Sequence, residues 1–155
     1  MSQSDNELSL DDIEALVSNK VPHTVSKQGW IVDPLELGRA CKAYKLEHPV
    51  RVRFTSGRRT WGTHRTKHDS NSPTGYTHWI TLSQVWTREK ANHTLWHEFF
   101  HCMQAEDFAR KEGRRPTAFY HEAYSQTGYA YVDNPYEIAC EKFAERQAPK
   151  WSLLS

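Results

Sequence analysis

The run His97-Glu98-Phe99-Phe100-His101 sets two imidazoles four residues apart with a carboxylate beside the first. In a helix this spacing rotates two side chains by only about 40° and separates them by about 6 Å along the axis, so both imidazoles can hold one ion. Glu98 falls on the adjacent strip of the same helix, close enough to take a proton from water activated by that ion. H-E-x-x-H is the pattern of zinc-assisted hydrolysis with the glutamate as general base. His97 and His101 are therefore candidate metal ligands, and Glu98 is the candidate catalytic residue.

The flanking residues predict the helix that this chemistry needs. No Gly or Pro falls between Thr87 and about Arg110, Thr87 can cap the N-terminus and Gly113 can stop the C-terminus. Leu95, Trp96, Phe99 and Met103 form one apolar stripe with His97 and His101 beside it, which places the histidines at the edge of a buried face. Cys102 points about 100° away from His101 and reads as core.

Catalytic zinc usually takes three protein ligands, so a carboxylate must join the histidines. Asp107 occupies a position that ligates when a Gly breaks the helix after the motif, but Gln104 stands where that Gly would be. On a continuous helix Asp107 is turned about 240° from His101. The segment from Asn134 is the better source. Asn134 and Pro135 open a helix to about Gln147, in which Tyr136, Ala139, Cys140 and Phe143 can pack on the motif helix. Glu137 and Glu141 then share a flank, so that one can ligate while the other orients a histidine. Glu137 is also placed to close a capping box on Asn134.

With the downstream Glu137-x-x-x-Glu141, the motif resembles that of the gluzincins, zinc peptidases whose third ligand is a glutamate on a second helix. The lead-in Asn134-Pro135-Tyr136-Glu137 is similar to small single-domain gluzincin-like proteins of microbial and phage genomes. The resemblance implies one Zn²⁺ per chain held by His97, His101 and Glu137, with Glu141 supporting a ligand histidine where the family usually has Asp. It implies an α+β, zincin-like domain: a short twisted sheet of about three strands packed on the motif helix and the C-terminal ligand helix. It also implies an edge strand that binds an extended peptide, for which Tyr76 to Leu82 is the candidate, with His78, Trp79, Ile80 and Thr81 along it. Larger gluzincins carry an oxyanion donor on a C-terminal subdomain. Here His121, Tyr124, Tyr131 and Tyr136 are the candidates.

The remaining elements follow from local pattern. Residues 1–8 are polar and expected to fray, and residues 9–155 are expected to form one domain. Ser9 to Ser18 reads as a short helix, and Asp33-Pro34 caps and opens another with Leu37, Ala40, Cys41 and Tyr44 inward. Val50 to Thr55 alternates apolar and polar residues as a half-buried strand does, and Trp61 to His68 is a second strand, joined to the candidate edge strand by the turn-rich Asp69 to Gly75. His64 and His68 on one strand stand about 13 Å apart, too far to share an ion. Pro116 to Gln126 is expected to hold a short helix.

Composition bounds the rest. The chain has 155 residues, a net charge of +1 and 37% hydrophobic residues, with a mean hydropathy of −0.81, which gives a modest core rich in aromatics. No apolar run is long enough to cross a bilayer and no signal peptide is evident, so a soluble cytoplasmic protein is expected, virion association remaining open. Three widely spaced cysteines, Cys41, Cys102 and Cys140, suit reduced thiols. Arg51, Arg53, Arg58, Arg59, Arg65 and Lys67 crowd one stretch with Phe54, Trp61, His64 and His68. This is the solvated face of a β-hairpin or a surface for nucleic acid.

The expected function is zinc-dependent hydrolysis of a peptide or a flexible protein segment. Two alternatives stand beside it: a catalytically silent, zinc-stabilised interaction protein of a larger assembly, and a DNA-associated protease recruited by the basic stretch. Peptide libraries separate the first alternative, and DNA-dependent activity with a steep salt dependence marks the second.

Overall fold

The computed structural model describes residues 24–147 and 152–154. The helix expected at Ser9 to Ser18 and the fraying of residues 1–8 lie outside the described residues. The elements are β1 (Ile31–Val32), α1 (Pro34–Ala43), β2 (Val50–Thr55), β3 (Gly62–His68), β4 (Tyr76–Ser83), α2 (Arg88–Glu112), α3 (Pro135–Gln147) and β5 (Leu153–Leu154). They form a small α+β domain. Among the described residues no helix is long and apolar enough to cross a membrane.

Local chemistry sets the helix ends. Asp33 accepts from the Leu35 backbone N–H and Pro34 occupies the first turn of α1. Thr87 accepts from the Lys90 N–H to start α2, and Gly113 ends it in the left-handed conformation at φ 62°. Asn134 starts α3 by accepting from the Tyr136 N–H at 2.9 Å. The helix runs through Gln104 without a break, which turns Asp107 outward to pair with Lys111 at 3.0 Å.

The sheet has the order β2-β4-β3, with β4 parallel to β2 and antiparallel to β3. The sequence reading of Tyr76 to Leu82 as an edge strand is therefore corrected. His78, Trp79, Ile80 and Thr81 lie on the central strand, whose backbone is paired on both sides, so it cannot add a substrate strand. The physical reason is burial. His78, Ile80 and Leu82 are 0% exposed and Thr77 and Ser83 are 1% exposed, whereas β2 and β3 carry the arginines and lysine that edges tolerate.

One face of the sheet packs on α2, and α3 packs on the other flank of that helix. The core runs from Val50, Phe54, Ile80 and Leu82 on the sheet through Leu95, Trp96 and Phe99 on α2 to Phe143 and Ala144 on α3. Phe99 and Phe143 stack with ring centroids 6.2 Å apart. Gly62 permits the close approach of β3 to α2: a Cβ there would lie 2.6 Å from Thr94 Cγ2 and 2.8 Å from the Thr81 carbonyl oxygen. This approach brings β3 side chains against the motif helix.

Candidate metal centre

Helix α2 presents His97, Glu98 and His101, all buried, toward the N-terminal turn of α3. The Asn134 cap aims that turn at α2, and Phe143 anchors its far end against Phe99 and Phe100. Glu137 consequently enters between the two imidazoles. His97 Nε2 lies 2.7 Å and His101 Nε2 3.3 Å from Glu137 Oε1. The capping-box alternative for Glu137 is not what forms.

The outer nitrogens of both rings are held as well. His97 Nδ1 stands 2.5 Å from Glu141 Oε1, and Glu141 also accepts from His93 Nε2 at 3.1 Å. His101 Nδ1 stands 2.8 Å from Gln104 Oε1. Gln104 donates its amide to the Tyr136 carbonyl at 2.9 Å, so its oxygen is the atom facing His101. Each imidazole thus spends its Nδ1–H on an acceptor, and its Nε2, which faces the Glu137 carboxylate, is a proton donor to it or, with that proton removed, a lone pair for an ion.

Two imidazole nitrogens and a carboxylate that converge on one point could hold a cation. Two imidazole nitrogens and a carboxylate oxygen are a donor set suited to zinc, and the side-chain oxygens of Glu141 and Gln104 fix the tautomers that ligation needs. His97, His101, Glu137 and Cys140 offer ligand atoms within 4.8 Å of one another. Cys140 Sγ, however, lies 3.4 Å from His101 Nδ1, the ring nitrogen turned away from Glu137. The fit is therefore to His97, His101 and Glu137.

The charges agree with a site built for a positive centre. Burial works against the charged form of His97, but Glu137, Glu98 and Glu141 outweigh it and raise its pKa. Burial likewise opposes the charged form of Glu137, yet hydrogen bonds from His101, His97 and Tyr124 hold its carboxyl far below the usual range. Glu98 differs: burial dominates and pushes its pKa up, against the pull of His101 and His97. Among the described residues no hydrogen bond reaches the Glu98 carboxylate.

The four candidate oxyanion donors separate. Tyr124 donates to Glu137 Oε2 at 2.5 Å and so braces the carboxylate. Tyr131 is 64% exposed, and burial of its phenol with the charges of Glu137 and Glu98 raises its pKa. Tyr136 packs edge-on against Phe119 and stacks on Tyr124. His121 is exposed and engages Ser125 and Gln126 through its backbone carbonyl. Residues 116–127, expected as a short helix, form successive tight and wide helical turns in which the rings of Tyr120 and Tyr124 meet at a tilt with centroids 5.3 Å apart.

A second buried network adjoins the site. Glu106 Oε2 accepts from His78 Nε2 at 2.8 Å, His64 Nε2 lies 3.0 Å from His78 Nδ1, and the Tyr120 hydroxyl lies 2.7 Å from His64 Nδ1. Because a carboxylate only accepts, the chain runs one way: Tyr120 O–H to His64, His64 Nε2–H to His78, His78 Nε2–H to Glu106. His64, His78 and Cys102 also lie close enough to hold an ion. Two neutral imidazoles already satisfy this chain, which leaves no lone pair converging on a vacancy. Burial, then His78 and His101, lower the pKa of His64 in keeping with its neutral form.

The sequence reading missed this network together with Gln104 and His93. Gln104 at three residues after His101 and His93 at four before His97 carry a helical-spacing signal. His64 and His78 do not, because only strand pairing sets them side by side. His68 ends at the surface against Tyr76, apart from the site. All three cysteines are free thiols. Comparison with models of known protein families, with characterised proteins and with solved structures gives no match.

Proposed function

We propose that the chain is a zinc-dependent peptidase of gluzincin-like type. The observation that carries this reading is the convergence of His97 Nε2, His101 Nε2 and the Glu137 carboxylate, with the buried Glu98 beside them. Zinc bound there supplies Lewis acidity toward water and toward a peptide carbonyl.

The chain's own residues do the rest. Glu98 takes the proton of the attacking water at its carboxylate and returns it to the leaving amine. Its raised pKa suits both directions of transfer. Tyr124 and Glu141 hold the ligands in place, and Tyr131, whose phenol feels the charges of Glu137 and Glu98, would donate to the developing oxyanion. An extended peptide pairs with the open side of β3, the outer strand next to α2, in place of the buried β4.

A catalytically silent, zinc-stabilised interaction protein would use the same three ligands. Glu98 favours catalysis: its carboxylate makes no hydrogen bond among the described residues and so braces nothing in the fold, while His101 and His97 act on it from beside the site. The test pairs zinc content with cleavage of an unstructured protein such as casein. Wild type is expected to carry about one zinc per chain and to cleave. Glu98→Gln is expected to keep its zinc and lose cleavage by roughly 10² to 10⁴-fold. Zinc bound without cleavage by wild type would select the silent alternative, and absence of zinc would sink both.

A further inference from the structure

The outer face of the sheet, opposite α2, carries a pattern that the zinc site does not use. Strand alternation turns His64, His78 and Ile80 toward α2, and it turns Arg53, Thr63, Arg65, Lys67, Trp79 and Thr81 the other way. In the cross-strand register Arg65 stands opposite Trp79, Thr63 opposite Thr81 and Lys67 opposite Thr77. The six outward residues line a shallow depression of about 210 Å³ whose walls come from the sheet alone.

Charge on this face is one-sided. Between Val50 and Ser83 the only acidic residue is Asp69, and its carboxylate is occupied by the Thr77 hydroxyl and the Asn71 N–H at the end of the sheet. Among the described residues Arg53, Arg65 and Lys67 have no carboxylate partner. Arg53 donates to the Thr81 hydroxyl at 3.1 Å and lies 5.4 Å from the centre of the half-buried Trp79 ring. An indole at the centre of a flat face, flanked by cations and hydroxyls, offers a stacking platform inside a positive field.

We propose that this face binds single-stranded nucleic acid, with Trp79 stacking on a base and Arg53, Arg65 and Lys67 meeting the phosphates. Stacking accepts any base, and backbone charge supplies most of the affinity, so the preference is for single strands without strong sequence selection. A shallow three-stranded face presents no helix or ribbon to a major groove, which disfavours duplex. Because the binding side chains project from the face of the sheet opposite α2, the helix that carries His97 and His101, a bound strand would tether the protein without entering the metal site. This inference does not depend on peptidase activity.

The experiment is fluorescence anisotropy of the full chain with labelled oligothymidylate of about 12 nucleotides, within the usual site size. Binding is expected to fall with salt at a log–log slope of about −2, roughly 0.7 for each of three phosphates, so about fifteenfold from 50 to 200 mM. Arg65→Glu combined with Lys67→Glu, both at exposed positions, is expected to weaken binding more than about tenfold and to flatten the slope. Trp79→Leu is expected to weaken binding by about 5 to 100-fold with the slope retained. Zinc content should not change in the charge variant. Absence of binding at low salt, or unaltered binding by the charge variant, overturns the proposal. Equal competition by heparin or duplex, with Trp79→Leu silent, also overturns it and leaves only general polyanion attraction. Should Trp79→Leu fail to fold, the charge variant and the heparin competition decide.

Discussion

Gln104 accepts a hydrogen bond from His101 Nδ1 at 2.8 Å while its own amide donates to the Tyr136 carbonyl at 2.9 Å, so one side chain fixes the His101 ring on α2 and the start of α3 together. Gln104→Leu removes both bonds and frees the His101 ring to choose either tautomer. Zinc affinity is expected to fall by roughly 10 to 100-fold, as for other partners of ligand histidines. A competition titration with a chromophoric chelator measures it, and an unchanged affinity would show that the α2–α3 packing alone orients His101.

Removal of the carboxylates should rank them. Glu137→Ala takes away a ligand and is expected to abolish tight zinc binding, whereas Glu141→Ala loses only the support of His97 and should cost roughly 10 to 100-fold. Asp107→Ala should leave affinity unchanged, since this residue pairs with Lys111 at the surface. The same titration reads all three, and a largest loss in the Asp107 variant would overturn the ligand assignment.

The tyrosines are expected to divide binding from turnover. Tyr124→Phe removes the hydrogen bond to Glu137 Oε2 and should weaken zinc. Tyr131→Phe should keep zinc and KM while lowering kcat by roughly 10²-fold or more, the cost of one oxyanion donor. Steady-state kinetics beside zinc content would expose the opposite pattern at once.

Glu106 ties the loop before β2 to the centre of the sheet. It accepts from the backbone N–H groups of Glu47 at 2.6 Å and His48 at 3.1 Å, and from His78 Nε2. Glu106→Ala leaves buried donors without a partner and should destabilise the fold by more than about 2 kcal/mol. Urea unfolding gives the value directly, and a loss below about 0.5 kcal/mol would mean that water replaces the carboxylate.

The same pair sets a pH dependence. Burial, only partly offset by Glu106, holds the His78 pKa below its ordinary 6.5. Below about that pH the unfolded chain binds a proton that the folded chain refuses, so the stability present above it is lost as the pH falls. Glu106 adds in the same direction at lower pH. Burial opposes its charged form, but His78 and the two backbone N–H groups hold its carboxyl below the ordinary 4.5. The urea midpoint of wild type should therefore drop through the histidine range, and that of His78→Gln should drop less. Parallel curves for the two proteins would rule out His78 as the source.

Local signals in the sequence were enough for the three α-helices, for β2 to β4 and for half of the site. Thr87 and Gly113 bound α2, Asp33-Pro34 and Asn134-Pro135 open α1 and α3, and the alternation from Val50 marks β2, because caps and periodicity act over a few residues. The spacing of His97 and His101 placed both imidazoles on one strip of helix for the same reason. Strand order was not legible. The resemblance put Tyr76 to Leu82 at an edge, and nothing in its own residues marks it otherwise; only its pairing with both β2 and β3 makes it central. The buried chain from Glu106 through His78 and His64 to Tyr120 was likewise out of reach, since its members are brought together by strand register and by the approach of β3 to α2 at Gly62. Sequence determined which side chains can do chemistry and which local segments carry them; tertiary packing decided which of them meet, because contacts between distant segments depend on burial of whole faces and not on the spacing of residues along the chain.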